Sequence, residues 1–412
     1  MVNPAPHDPV PEVDNPLASK AASELFVRRH WQRRPVVIRQ AFDAAALAAL
    51  TAPRDAAAEP DRELSTATMW ALAAEEATEA RLIRRRGTRW SLAHGPFAAD
   101  EQPRPGHKQW TLLVQSVDHH LNDASALLHR FNFLPQCRLD DLMISVAGDQ
   151  GGVGPHKDSY DVFLLQLAGT RHWTLGAPGE HALQPDQPLR LVEAFDTTAE
   201  VTVGPGDMLY VPPGWIHDGV AQGPCMTASI GFRAPTRAEL LTAWWQACAE
   251  RDDDEIDPTG PRQYRDKVSA TTAAQWRRQP GQLPVEMMAS LEHWLGKWTP
   301  TAAEMREFIG CYLTEPKTSV WFERPTPVQC RQFNAQAKRN GVQLDRRTRI
   351  SFQARTIFIN GEPWVSDRPL SAALKRLASQ RRLDGDAFSH LTPDDQDSLS
   401  LWHDSGWLHP GQ

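Results

Sequence analysis

Through the middle of the chain, apolar residues alternate with polar ones over short stretches separated by turn residues. From Leu82 to Phe232 strand-like segments dominate, interrupted by a helical pattern around Val117 to Phe133 and by a polar, Pro-rich insertion from Pro178 to Ala194. Many short strands with regular turn punctuation predict a double-sheet jelly roll. Ala18 to His30 has the period of a short helix leading into the strand WQRRPVVI, and Asp43 to Leu50 and Ala67 to Ala80 read as Ala-rich helices decorating the barrel. Residues 1 to about 17, polar and rich in Pro, read as a disordered or loosely docked lead. From Arg237 to about Trp298 the pattern turns helical: LLTAWWQACAE, an acidic break from Asp252 to Pro261, then VSATTAAQWRR and LPVEMMASLEHWLGKW. Beyond it, Arg331 to Asn340 and Leu370 to Gln380 predict helices. Thr348 to Phe352 and Thr356 to Ile359 alternate like strands, and Asn360-Gly361-Glu362 is a hairpin signal, which together suggest a winged helix. The expected fold is mainly β with added α: a jelly-roll barrel over 1–236, a helical region over 237–300 and a winged-helix-like unit over 301–412.

Composition narrows the class. A chain of 412 residues exceeds what one core normally serves, in keeping with several units. It has no apolar stretch near twenty residues and no secretory leader pattern, so a cytoplasmic protein with no membrane partner is expected. Five cysteines without a C-x-x-C pair indicate neither a disulfide framework nor a structural zinc site. The net charge of -7 argues against a protein that coats nucleic acid. The basic residues Arg331, Lys338, Arg339, Arg346, Arg347 and Arg349 of the last unit read as a solvated charged face, since Asp384, Asp386, Asp394, Asp395 and Asp397 lie in the same unit. No direct DNA binding is expected from them.

The chemistry concentrates in GPHKDSYDVFLLQLAGTRHW and in GDMLYVPPGWIHDGV. Residues i and i+2 of a strand point to one face, so His156 and Asp158 can reach one ion while Lys157 points away. His217 follows a strand and a Pro-Pro-Gly turn, where an antiparallel barrel can bring it alongside. Two imidazoles and one carboxylate leave coordination positions open, as suits Fe(II) that must also bind a cosubstrate and dioxygen.

These segments resemble the JmjC branch of the cupin-type, 2-oxoglutarate-dependent oxygenases, and most closely the bacterial ribosomal oxygenases that hydroxylate an arginine of large-subunit ribosomal protein L16. The resemblance rests on HWQRRPVVIRQAF (His30 to Phe42), WTLLVQSVDHH (Trp110 to His120), LDDLMIS (Leu139 to Ser145), GGVGPHKDSYDVFLLQ (Gly151 to Gln166) and SIGFRAP (Ser229 to Pro235). It implies a double-stranded β-helix barrel, Fe(II) held by His156, Asp158 and His217, 2-oxoglutarate and O2 as cosubstrates, and a homodimer formed through the helical region. It places Arg171, in AGTRHW, and Ser145, in DLMIS, on the cosubstrate's distal carboxylate, a role that suits a bidentate guanidinium. Asp140, Asp141, Asp149 and Asp161 are candidates to meet a basic substrate, although turn or outer-shell roles suit them equally, and Tyr160 is a candidate channel residue. His107, His119, His120, His129 and His181 read as structural or surface histidines, with at most one of His119 and His120 facing the site. Four alternatives stand beside that reading: hydroxylation of a histidine or another residue in a different ribosomal protein, demethylation of an N-methyl group, a cupin isomerase or metal-binding module without oxygenase activity, and a non-catalytic regulator that binds peptide in the barrel and nucleic acid through the last unit, against which the intact triad argues.

Overall fold

The computed structural model describes residues 9–51, 64–254, 285, 287–290 and 300–411. Ten strands form one antiparallel sheet system: β1 (Val36–Ile38), β2 (Ala80–Arg86), β3 (Arg89–His94), β4 (Trp110–Val114), β5 (Leu139–Ala147), β6 (His156–Lys157), β7 (Asp161–Gly176), β8 (Thr197–Val203), β9 (Met208–Val211) and β10 (Ile216–Phe232). The order is β1-β9-β7-β10-β5-β4-β2-β3, with β6 added to β10 and β8 to β7.

The long strands β7 and β10 are the spine. They pair from Ile216↔Gly176 to Phe232↔Asp161, with a register break between Gln222 and Met226. On one side of the break β7 meets β9 through Val162 to Leu165 and β10 meets β5 through Cys225 to Phe232. On the other side β7 meets β8 and β10 meets β6. The same two strands therefore serve both sheets of the jelly roll. Gly169 sits at this corner with φ 65°, and a Cβ there would lie 2.2 Å from the Pro224 carbonyl oxygen, so the bend requires glycine.

One end of the barrel is filled by an aromatic cluster in which the Phe163 ring lies 4.9 Å from that of Tyr210 and 5.0 Å from that of Phe131, tilted against both. The helix Lys20–Arg29, capped by the Ser19 hydroxyl, delivers the fully buried Phe26 to the same cluster. Asp161, at the start of β7, accepts hydrogen bonds from Tyr210 (2.6 Å), Gln32 (3.0 Å) and Arg138 (3.1 Å).

The lead is not loose where it is described. Val37 donates to the Pro11 carbonyl and Val13 donates to the Val37 carbonyl, so residues 11–13 run beside β1, and Val10 is buried. A Pro-rich segment can dock in this way because Pro11 needs only to accept, and the one donor used is the Val13 N–H. The helix expected over Ala67 to Ala80 is Thr66–Ala73, and the helical pattern near Val117 resolves into a short 3₁₀ turn, Val117–His119, and the helix Asn122–His129.

After the barrel the helix Arg237–Asp254 runs on into the start of the expected acidic break. VSATTAAQWRR, the rest of that break and most of LPVEMMASLEHWLGKW lie outside the described residues. The C-terminal unit has helices Ala302–Thr314, Pro327–Asn340, Ala372–Gln380 and Pro393–Asp404 and a three-stranded hairpin sheet, Ile350–Gln353, Thr356–Ile359 and Glu362–Val365. Ile359 pairs with Glu362 across Asn360 (φ 50°) and Gly361 (φ 85°), the left-handed pair that a two-residue hairpin needs.

The basic residues of this unit divide in two: Arg331, Lys338 and Arg339, on the helix Pro327–Asn340, are exposed as expected, and the other three are not. Arg346 and Arg347 both donate to the His119 carbonyl and Arg349 donates to the Leu139 carbonyl. These three guanidiniums form a seam against the barrel rather than a solvated face, because their donors satisfy backbone oxygens left free there.

Candidate metal and 2-oxoglutarate site

The antiparallel register places His156 opposite His217 on β6 and β10, and their rings stand 4.2 Å apart. Asp158 follows β6 directly, with its Oδ2 3.6 Å from His217 Nε2. Potential ligand atoms of all three residues lie within 4.8 Å of one another. Each imidazole is oriented by its own strand: His156 Nδ1 is 2.8 Å from the Gly154 carbonyl and His217 Nδ1 is 3.1 Å from the Trp215 carbonyl. A carbonyl can only accept, so each Nδ1 carries the proton and each Nε2 keeps its lone pair for an ion. Burial, and next the nearby His156, push the His217 pKa down to about 4, against a smaller opposing pull from Asp158. The ring is therefore neutral near pH 7, the state a metal ligand requires. Lys157, between the two ligands, turns away and donates to the Gly179 carbonyl at 2.7 Å.

A cavity of about 350 Å³ opens over this group. Arg171, on β7, lies in its wall and is only 3 % exposed. It contacts the Gly219 carbonyl (3.5 Å), the Ser145 hydroxyl (3.5 Å), the Cys225 thiol (3.4 Å) and the Trp173 ring, 5.6 Å from the guanidinium. The two contacts to oxygen are at the long limit of hydrogen bonding, the thiol is a weak acceptor, and Nε is buried without a partner. A buried cation with such weak partners calls for an anion. Ser145, on β5, points into the same end of the cavity. The donor set therefore fits both a divalent ion at His156, Asp158 and His217 and a carboxylate at Arg171 and Ser145.

A model of the JmjC domain matches residues 126–240, and one described as a ROXA-like winged helix matches residues 289–409. The ribosomal protein uL16 3-hydroxylase of Escherichia coli is 30% identical over 374 residues, 90% of this chain and 92% of that protein. The chain belongs to the JmjC-domain ribosomal oxygenase family. The crystal structure of Escherichia coli YcfD has a TM-score of 0.72 at 29% identity, covering 93% of this chain and 97% of that one. A structure described as YcfD in complex with cobalt and 2-oxoglutarate gives 0.70 at 28% identity, covering 94% and 97%. This ribosomal oxygenase is a 2-oxoglutarate-dependent dioxygenase whose cofactor is Fe(II) and whose cosubstrates are 2-oxoglutarate and O2. Among its described residues no helix is long and apolar enough to cross a membrane.

The acidic candidates separate. Asp141 lines the cavity together with Tyr160, whereas Asp161 is completely buried beneath the barrel end and Asp149 pairs with Lys108 at 2.8 Å outside it. Asp161 faces away from the cavity because three donors of the aromatic end hold it, and neither it nor Asp149 can meet a substrate there. His119 and His120 also lie off the cavity. Leu189, Arg190 and Leu191 of the Pro-rich insertion form part of the cavity wall.

Met143, Ser229, Trp173 and Lys317 are site or near-site residues that sequence reasoning missed. The first two were within reach of it: in LDDLMISVA a period of two puts Asp141, Met143 and Ser145 on one face, and the same period aligns Thr227, Ser229 and Gly231 on β10. Gly219 supports Trp173, since a Cβ there would lie 2.5 Å from the indole ring. Gly219→Ala is expected to lower stability by about 1–3 kcal/mol through overpacking and to displace the ring under Arg171, measured by thermal unfolding with and without 2-oxoglutarate.

Proposed function

We propose that this oxygenase hydroxylates an arginine side chain of ribosomal protein uL16, with His156, Asp158 and His217 holding Fe(II) and Arg171 with Ser145 holding the distal carboxylate of 2-oxoglutarate. The observation that carries the reading is the buried, anion-lacking Arg171 in the same cavity as a two-histidine, one-carboxylate cluster. Support for the substrate comes from the similarity to the Escherichia coli uL16 3-hydroxylase and from the part of the cavity away from Arg171. There the Asp141 carboxylate, the Tyr160 ring, Met143 and the Ser229 hydroxyl offer an arginine an anion, an aromatic face, an apolar slot and an acceptor.

When bound, the metal supplies dioxygen activation coupled to decarboxylation of the 2-oxo acid, yielding succinate and one oxygen atom for a substrate carbon. The protein's part is placement. The backbone carbonyls of Gly154 and Trp215 fix the imidazoles, Arg171 sets the depth of 2-oxoglutarate, and Val162, Leu164 and Trp173 keep its methylenes out of water. Asp141 and Tyr160, in the wall of the same cavity, would hold the substrate side chain.

We further infer three units, at 1–236, 237–300 and 301–412, action in the cytoplasm, and a homodimer formed through the helical region. The exposed Leu241 and Trp245 on the helix Arg237–Asp254 support that last assignment. The function is tested by succinate release with Fe(II) and 2-oxoglutarate in the presence of intact uL16 or of other purified ribosomal proteins. Stimulation by uL16 at least on the order of tenfold over the others is expected, about 1.4 kcal/mol of discrimination. Equal stimulation by a different ribosomal protein would redirect the substrate assignment to it.

A further inference from the structure

Asp141 is held by an arrangement that the barrel alone does not complete. Its Oδ2 accepts from Gln115 Nε2 at 2.6 Å, from Ser116 Oγ at 2.8 Å and from Lys317 Nζ at 2.8 Å. Gln115 is held in turn by Arg81, at 3.0 Å. Ser116 adopts a left-handed backbone, φ 51°, uncommon outside glycine, and its hydroxyl also receives the Lys317 ammonium at 3.1 Å. Lys317 comes from the C-terminal unit, in the stretch between the helices Ala302–Thr314 and Pro327–Asn340, 176 residues away from Asp141. All three donors meet the same oxygen. Oδ1 is turned instead toward Gly231, on the wall of the cavity.

We propose that Lys317 is a positioning residue for the substrate: it pins Oδ2 of Asp141 so that Oδ1 is presented to the cationic side chain entering the cavity, and the substrate pocket is thus a joint product of barrel and winged-helix unit. This rests on the arginine reading above. A carboxylate anchored through one oxygen by a charge-assisted hydrogen bond and two neutral ones has a fixed plane, and a guanidinium needs a fixed acceptor.

The charges around Asp141 explain why a cation is needed at that point. Lys317, Asp118, Asp140, Tyr160, His119 and Arg349 all stand within electrostatic reach. Burial, and next the charge of Asp141, push Asp118 up to about 7, so the acids already compete for protons. Burial alone would push Asp141 up as well, but the charge and hydrogen bond of Lys317, joined by the hydrogen bonds of Gln115 and Ser116, more than offset it and hold the carboxyl below its ordinary range. Burial likewise pulls on the Lys317 ammonium, and Asp141 and Asp140 more than offset it. Without Lys317 the Asp141 carboxylate keeps only the neutral donors Gln115 and Ser116 and loses the charge-assisted bond that fixes its plane.

The test is steady-state kinetics of the full-length, Fe(II)-loaded enzyme with uL16, comparing wild type, Lys317→Met and Lys317→Arg. For Lys317→Met the KM for uL16 is expected to rise on the order of tenfold, the scale of one charge-assisted hydrogen bond, while the KM for 2-oxoglutarate stays within about twofold. Lys317→Arg is expected to recover most of the uL16 KM, which a general loss of packing would not allow. A KM for uL16 that is unchanged or lower in Lys317→Met overturns the proposal, the lower value showing that Lys317 competes with substrate. Parallel losses in both KM values, with no recovery in Lys317→Arg, overturn it as well. Failure of the wild-type enzyme to hydroxylate uL16 at all is a separate result, seen before any variant is made, and removes the substrate reading together with the inference built on it.

Discussion

His217→Ala is expected to lower 2-oxoglutarate turnover more than about 100-fold, beyond what loss of a residue that merely orients a ligand costs. His217 is 2 % exposed, opposite His156 in the strand register, with Nδ1 committed to the Trp215 carbonyl. Alanine removes one of three donors that no neighbour can replace: the next imidazole along β7, His172, is bonded to the Thr202 hydroxyl on the other side of the sheet. The fold should survive, since β10 keeps its pairing with β7 and β5 along its length. Metal content by elemental analysis and succinate release check both halves of the expectation. The same loss is expected for His156→Ala and Asp158→Ala. An Asp158 variant that kept its iron and full activity would show the cluster to be misassigned.

Arg171→Ala has the second-largest expected effect, and it falls on a different parameter. The guanidinium is buried, its Nε has no partner and its remaining polar contacts are all near 3.5 Å, so on the proposed reading the distal carboxylate of 2-oxoglutarate would complete it. Removing one member of a buried, hydrogen-bonded charge pair costs about 2–5 kcal/mol. The KM for 2-oxoglutarate is then expected to rise on the order of 100-fold, with kcat at saturation changed much less, because the 2-oxo acid end is held elsewhere. Ser145→Ala should raise the same KM by a smaller factor, since a neutral hydrogen bond contributes about 1 kcal/mol. Calorimetric titration of 2-oxoglutarate into the metal-loaded variants separates binding from turnover. An unchanged affinity in Arg171→Ala would mean that the carboxylate is held elsewhere in the cavity.

Much of this site is legible in the sequence because it is local in the strand. His156 and Asp158 are two residues apart, Arg171 follows on the next strand, and the His217 strand is announced by its turn. The Asn360-Gly361 hairpin and the capped helix Pro327–Asn340 are equally local, their conformations following from one or two residues. What sequence reasoning missed depends on partners far along the chain. Asp161 looked like a residue of the cavity mouth, but Tyr210, Gln32 and Arg138 draw it into the barrel end. Arg346, Arg347 and Arg349 looked like a solvated face, but the carbonyls of His119 and Leu139, more than two hundred residues earlier, take their donors. Lys317 carries no local signal, since a lysine in a loop between helices looks the same whether it faces solvent or a buried aspartate.

The most direct test of the account is tandem mass spectrometry of uL16 after incubation with the enzyme, Fe(II), 2-oxoglutarate and heavy-isotope dioxygen. One oxygen atom, derived from dioxygen, is expected on the side chain of a single arginine in the wild-type reaction and none with His217→Ala. An oxygen atom located on a histidine or another residue type, or succinate formed with uL16 left unmodified, would contradict it.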